Sequence, residues 1–206
     1  MIISALRQLS PGRIRLEFED GESIVSTLAV VTDMRLYSGR DLSREELNEL
    51  KLSSGFALAR DQALEMLGRR MMSRKELEDK LKRKGQDEAT AAAVADWLEA
   101  QRLLDDESYA AALARHYSAK GYGPGRLRQE LARRGIDREL WQDAAQAMPQ
   151  RDDKLDRFIS LRLKDPKDPD QVRRVTAALY RRGFGYQQIR EALERFDAQA
   201  EPEELP

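Results

Sequence analysis

Few side chains in this sequence combine the type and spacing that catalysis needs. The only histidine, His116, stands beside Tyr117 in a helical apolar pattern. Isolated in this way it reads as a packed or surface residue rather than a general base. With one histidine and no cysteine, a zinc site lacks ligands, because zinc needs several His or Cys donors. Asp105-Asp106-Glu107 is an acidic cluster of a kind that can ligate magnesium. The same residues suit the start of a helix, whose positive end favours a carboxylate cap, and that reading is the stronger. The glycine-rich run Gly121-Tyr122-Gly123-Pro124-Gly125 has no following Lys-Ser/Thr and no preceding strand, so it reads as a turn and not as a phosphate-binding loop. Trp97 and Trp141 fall at helical spacing with other apolar residues, which places them in a core rather than against bases. No catalytic residue, cofactor or metal ligand is expected, and the chain reads as a binding protein rather than an enzyme.

Charge is the feature left to explain. Charged residues make up 35% of the 206 positions, against about 25% in ordinary globular domains. The net charge of −1 conceals segregation. Residues 69–85 hold eight basic and three acidic groups, a local charge of +5, whereas residues 197–206 carry −4. Local fields, rather than net charge, decide what such a surface attracts. Cations crowd three places in particular: Lys82-Arg83-Lys84, Arg133-Arg134 and Arg181-Arg182. Lysine and arginine are favoured at a helix C-terminus by about 0.3–1 kcal/mol each, which accounts for part of this. Their recurrence suits a periodic polyanionic partner, either nucleic acid or an acidic protein filament. The candidate partner-binding residues are Lys82, Arg83, Lys84, Arg126, Arg133, Arg134, Arg181 and Arg182.

The elements that carry these cations repeat. Leu77, Leu81 and Gly85 share a frame with Leu127, Leu131 and Gly135 and with Val175, Leu179 and Gly183, at offsets of 50 and 48 residues. Leucines four apart lie on one helix face, and the glycine suits the left-handed position that closes a helix. Each repeat reads as three helices, A, B and C, with the glycine ending B. In the first repeat A covers about 56–70 and B opens at the capping box Ser73-Arg74-Lys75-Glu76. In the second, Tyr109, Leu113 and Tyr117 mark A, and Pro124 opens B. In the third, Leu155, Phe158 and Ile159 mark A, and Ile189, Leu193 and Phe196 mark C. Upstream, Ile14, Leu16 and Phe18 alternate with charged residues, the signature of a half-buried strand. Asp20-Gly21 predicts a hairpin turn, so about three antiparallel strands are expected within residues 1–26, followed by a short helix over 28–36. Ser43-Arg44-Glu45-Glu46 predicts another helix start, and Ser53-Ser54-Gly55 a break. The fold class is therefore mainly α: three tandem three-helix repeats forming an elongated molecule, preceded by a small antiparallel β subdomain. The divisions are 1–55, 56–104, 105–149, 150–197 and a disordered acidic tail over 198–206.

Absence of cysteine fits a reducing cytoplasm, no secretory layout opens the chain, and no apolar run reaches the roughly 18 residues of a membrane span. A cytoplasmic monomer is expected.

Several of these stretches resemble the RecX family of regulatory proteins. Arg70-Met71-Met72-Ser73-Arg74-Lys75-Glu76-Leu77, with Lys80-Leu81 and Gly85, is similar to that family's first helical repeat. Leu103-Leu104-Asp105-Asp106-Glu107-Ser108-Tyr109-Ala110 is similar to its most recognisable stretch. Gly121-Tyr122-Gly123, Arg126-Leu127 and Glu130-Leu131 up to Arg134-Gly135-Ile136 resemble the second repeat, and Gly183-Phe184 with Ile189 the third. The resemblance covers about residues 57–196. It implies tandem three-helix repeats, no enzymatic activity, and binding in the groove of a RecA–DNA filament. The outcome it implies is modulation, usually inhibition, of recombinase and coprotease activities, and hence a part in DNA repair and the SOS response. It assigns no contact residue. Two other readings of the residues stand beside it: a nucleic-acid-binding helical module acting on single- or double-stranded DNA, and a helical-repeat scaffold. A pI of about 6.1 disfavours the first of these, since dedicated DNA-binding domains are usually strongly basic.

Overall fold

The computed structural model describes residues 1–149 and 152–200. The chain forms two compact units, Met1–Leu104 and Asp105–Pro206.

The first unit opens with an antiparallel sheet of β1 (Ile3–Ser10), β2 (Arg13–Phe18) and β3 (Ser23–Thr27), with β2 in the centre. The period-2 pattern reads out as expected: Leu16 and Phe18 are buried while Arg13 and Arg15 are exposed. Gly21 turns the chain between β2 and β3 at φ +88°. Helix α1 (Leu28–Asp33) and the long α2 (Arg44–Arg69) cover the sheet's apolar face. Helices α3 (Arg74–Arg83) and α4 (Glu88–Ala100) follow. Both predicted capping boxes form, Ser43 with Glu46 and Ser73 with Glu76.

The break expected at Ser53-Ser54-Gly55 does not occur. Helix α2 runs unbroken for 26 residues and passes through it. Its first half packs Leu50 and Ala57 into the sheet core, and its second half packs Ala59 and Ala63 into the core of the first repeat. Ser54 lies against the sheet and donates to the Ser26 hydroxyl at 2.7 Å, fully enclosed. One interior glycine costs about 1 kcal/mol of helix propensity. Burial of Leu50 alone, worth about 1.5–3 kcal/mol, outweighs it, and a break here would strand backbone amides inside the packing.

The second unit contains two three-helix repeats. The first is α5 (Asp106–Ala119), α6 (Pro124–Arg133) and α7 (Glu139–Gln146). The other is α8 (Asp152–Arg162), α9 (Pro169–Arg181) and α10 (Tyr186–Ala200). Each has its own core, around Leu127 and Leu131 in one and Ile159, Leu179 and Ile189 in the other. Residues 198–200, expected in the tail, continue α10; the remainder of that tail, 201–206, lies outside the described residues.

All three B helices end in the same way. Gly85, Gly135 and Gly183 adopt φ of +93°, +67° and +86°. The next amide reaches back to the carbonyl of Leu81, Leu131 or Leu179 at 3.1, 3.1 and 3.2 Å. This is the Schellman closure, and it turns the chain from helix B into helix C.

Helix α6 differs from α3 and α9 at its start. Ser73 and Asp168 cap those helices with side chains, but Gly123 has none to offer. The cap comes from the third repeat. Gly123 N–H donates to the Arg182 carbonyl at 2.8 Å, and Gly125 N–H to the Gly183 carbonyl at 2.9 Å. The carbonyl end of α9 thus meets the amide end of α6, an arrangement both helix dipoles favour. A Cβ on Gly123 would stand 2.4 Å from the Gly183 carbonyl oxygen, while one on Gly55 would meet nothing within 4 Å.

Two alanine substitutions should therefore shift stability in opposite directions. Gly55→Ala should stabilise by about 0.5–1 kcal/mol through helix propensity. Gly123→Ala, at an ordinary φ of −86°, should destabilise by about 1–3 kcal/mol through overpacking. Urea denaturation of each variant measures both; equal midpoints would contradict the packing described.

Candidate anion-binding surface

Of the eight candidate residues, Lys82, Arg83, Lys84, Arg126, Arg133 and Arg181 reach solvent, while Arg134 and Arg182 are half-buried. In the first repeat Lys82 lies 3.7 Å from Asp79 and 3.8 Å from Glu88. Arg83 Nε donates to the Asp79 carbonyl at 3.1 Å, so the guanidinium satisfies a carbonyl near the end of its own helix. Lys84 is the C-cap.

Arg83 and Lys84 do not stand alone. Together with Met66, Arg69, Arg70 and Lys80 they line a cleft of about 600 Å³ between the end of α2 and the C-terminal half of α3. Glu65 pairs with Arg69 at 2.5 Å and Glu76 with Arg70 at 3.3 Å. Counting those carboxylates leaves an excess of three positive charges around the cleft. Burial holds the Lys80 amine below its usual pKa, and the charges of Arg70 and Arg83 add to the effect. An anion entering here meets cations already crowded together, so its arrival relieves repulsion as well as adding attraction. Sequence reading missed Arg69, Arg70 and Lys80 as site residues, although the +5 run over 69–85 contained the signal. What it lacked was the fold of α3 back along α2.

The second repeat spends its cations differently. Arg133 and Arg134 both converge on Glu130, a carboxylate with only 5% exposure. Arg133 approaches to 2.5 Å and Arg134 to 2.7 Å. Arg134 also donates to the Tyr109 hydroxyl, and its guanidinium lies 5.4 Å from that ring's centre. These hydrogen bonds, from Arg133 first, hold the Glu130 pKa down at about 2 against burial. Burial and then the Glu130 charge raise the pKa of Tyr117. Arg126, by contrast, is exposed, and its guanidinium donates to the Gln129 side-chain oxygen at 3.2 Å.

In the third repeat Arg181 is exposed, but Arg182 is turned inward. Its Nη1 donates to the Gly121 carbonyl at 3.2 Å, and its guanidinium lies 4.4 Å from the Phe158 ring centre and 5.7 Å from that of Tyr122. Arg134 and Arg182, expected at a docking surface, thus have internal partners: one completes the core of the second repeat, the other ties that repeat to the third.

The acidic cluster acts as a cap. Asp105 accepts from the Ser108 amide at 2.9 Å and the Ser108 hydroxyl at 2.7 Å, which lowers its pKa. His116 is exposed, its ring edge-on to Tyr117. Trp97 and Trp141 pack on the cores of their repeats, and the Trp141 indole donates to the Ile136 carbonyl at 2.9 Å. Among the described residues no group of three or more His, Cys, Asp or Glu is placed to hold a metal. Nor is any described helix long and apolar enough to cross a membrane.

Comparison with known proteins bears on the same repeats. Residues 59–98 match the model of the first three-helix domain of RecX, and residues 105–144 that of the second. Regulatory protein RecX of Xanthomonas oryzae pv. oryzae (strain MAFF 311018) is 40% identical over 139 residues, 66% of this chain and 86% of that protein. Regulatory protein RecX of Bacillus licheniformis is 27% identical over 191 residues, 90% of this chain and 73% of that one. Among solved structures, a crystal structure of regulatory protein RecX superposes with a TM-score of 0.72 at 23% identity, covering 94% of this chain and 98% of the other. The structure of RecX from Lactobacillus salivarius gives 0.63 at 23% identity, covering 70% and 97%.

The Glu130 cluster predicts a pH dependence. Its folded-state pKa of about 2 lies below the ordinary 4.5. The stability it contributes, on the order of 3 kcal/mol, is therefore fully present above pH 4.5 and lost as pH falls towards 2. Glu130→Gln should be less stable than the parent at pH 7, and the gap in denaturation midpoint should close over that acid range. A gap independent of pH would refute the assignment.

Proposed function

The chain belongs to the RecX family of regulatory proteins, and from that premise we propose that it binds the groove of a RecA–DNA filament and inhibits recombinase, ATPase and coprotease activity without catalysing any reaction. The observation that carries this reading is the cationic cleft of the first repeat. Arg69, Arg70, Lys80, Arg83 and Lys84 form a concave, positively charged surface suited to acidic filament surface or to phosphate. Tandem repeats support it further, because they present separate docking elements along one chain, with Arg126, Arg133 and Arg181 as exposed cations on the other two. A filament repeats its own surface, so several weak electrostatic contacts act together, and linked contacts bind far more tightly than any one alone. The electrostatics set encounter and register more than affinity.

The test is titration into RecA filaments on single-stranded DNA while ATP hydrolysis is followed. Inhibition is expected at stoichiometric protein. The triple variant Lys80→Ala, Arg83→Ala, Lys84→Ala should need about tenfold more protein for the same effect. Tenfold corresponds to about 1.4 kcal/mol, or roughly 0.5 kcal/mol per charge removed. Unchanged hydrolysis with the parent protein would overturn the proposal.

A further inference from the structure

The N-terminal sheet has a face that the packing does not use. Its inner face carries Leu6, Leu16 and Ile24 in one cross-strand row against the helices. The outer face carries arginine. Arg7 on β1 lies directly opposite Arg15 on β2, and Arg13 follows on the same face of β2. All three are exposed. Arg7 reaches Glu17 at 3.0 Å; Arg13 and Arg15 form no ion pair among the described residues.

Like charges directly opposite each other weaken a sheet, and none of the three arginines supports the core. Threonine would serve the strand better. We propose that this face binds the phosphate backbone of a polynucleotide, as a surface separate from the cleft of the first repeat. Three observations select that partner over an acidic protein. The face's apolar side chains are Ala5 and Val25, with Leu9 half exposed at the end of β1, too few and too scattered for the apolar centre a protein interface needs. Arg13 and Arg15 stand two strand residues apart, about 6.6 Å, with Arg7 about 5 Å across from Arg15. Arg13 and Arg15 are planar forks, each able to clasp one phosphate, and Arg7, held by Glu17, adds its charge beside them. The face also lacks aromatic rings for base stacking, so contact is with the backbone and independent of sequence. Glu19, Asp20 and Glu22 at the β2–β3 turn repel phosphate and mark where the bound strand leaves the sheet.

The experiment measures binding of the full chain to a labelled oligothymidylate across a salt series. Arg13→Gln/Arg15→Gln should weaken binding about tenfold at low salt. Its slope of log affinity against log salt should flatten by about 1.4, since each phosphate no longer neutralised on a single strand removes about 0.7. Its melting temperature should equal or exceed the parent's, because the opposed charges are gone. A control, Arg115→Gln/Arg157→Gln, removes the same charge from exposed helix positions and should change little. An unchanged affinity and slope in the sheet variant overturns the proposal, as does an equal weakening in the control. If poly-L-glutamate binds the parent as tightly as the oligonucleotide and the sheet variant binds neither, the assignment to polynucleotide is overturned.

Discussion

The carbonyls of Arg182 and Gly183 accept the first amides of α6, and the arrangement of the two repeats in the second unit depends on that contact. A helix start needs acceptors for its free N–H groups. In α3 and α9 these come from Ser73 and Asp168; in α6 they come from another repeat. The contact works only with glycine on both sides. A Cβ on Gly183 would lie 2.2 Å from the Arg126 nitrogen, and one on Gly123 2.4 Å from the Gly183 carbonyl oxygen. Backbone meets backbone with no side chain between, so the two repeats cannot slide without breaking hydrogen bonds. The Arg182 side chain then closes over the joint by reaching the Gly121 carbonyl.

This joint changes how the basic helix ends are understood. Each B helix ends in a glycine closure that leaves carbonyls near the cations of its last turn. Cations there are useful to the fold before any partner is considered. Arg83 spends its Nε on a carbonyl, Arg134 its Nε on buried Glu130, and Arg182 its Nη1 on the neighbouring repeat. Only where a second element adds cations that the helix end does not need does charge accumulate. That happens in the first repeat, where the end of α2 brings Arg69 and Arg70 beside Lys80, Arg83 and Lys84.

Local signals were strong enough to place most of the architecture. Capping boxes at Ser43 and Ser73, glycine closures at 85, 135 and 183, and the alternation of Ile14, Leu16 and Phe18 each depend on neighbours a few residues away. The features not legible were those settled by contacts far apart in sequence. Ser53-Ser54-Gly55 looks like a break because propensity counts only local cost; the opposing term is burial against β3 and the sheet core. Arg134 and Arg133 look alike in sequence, yet Tyr109, 25 residues away, draws one inward. The cleft needed Arg69 and Arg70 to be set beside Lys80, which depends on the turn between α2 and α3.

Helix α2 then becomes more than a connector. It belongs to two cores at once, that of the sheet through Leu50 and Ala57 and that of the first repeat through Ala59 and Ala63. At 1.5 Å per residue its 26 residues span about 39 Å. The sheet packs on its first half and the cationic cleft opens at its far end. A continuous hydrogen-bonded helix buried on both halves resists bending, so the sheet and the cleft are held at a fixed separation. Had the chain broken at Gly55, the same residues would have formed two independent modules. Continuity instead makes them one rigid element, so whatever engages the cleft fixes the position of the sheet's arginine face.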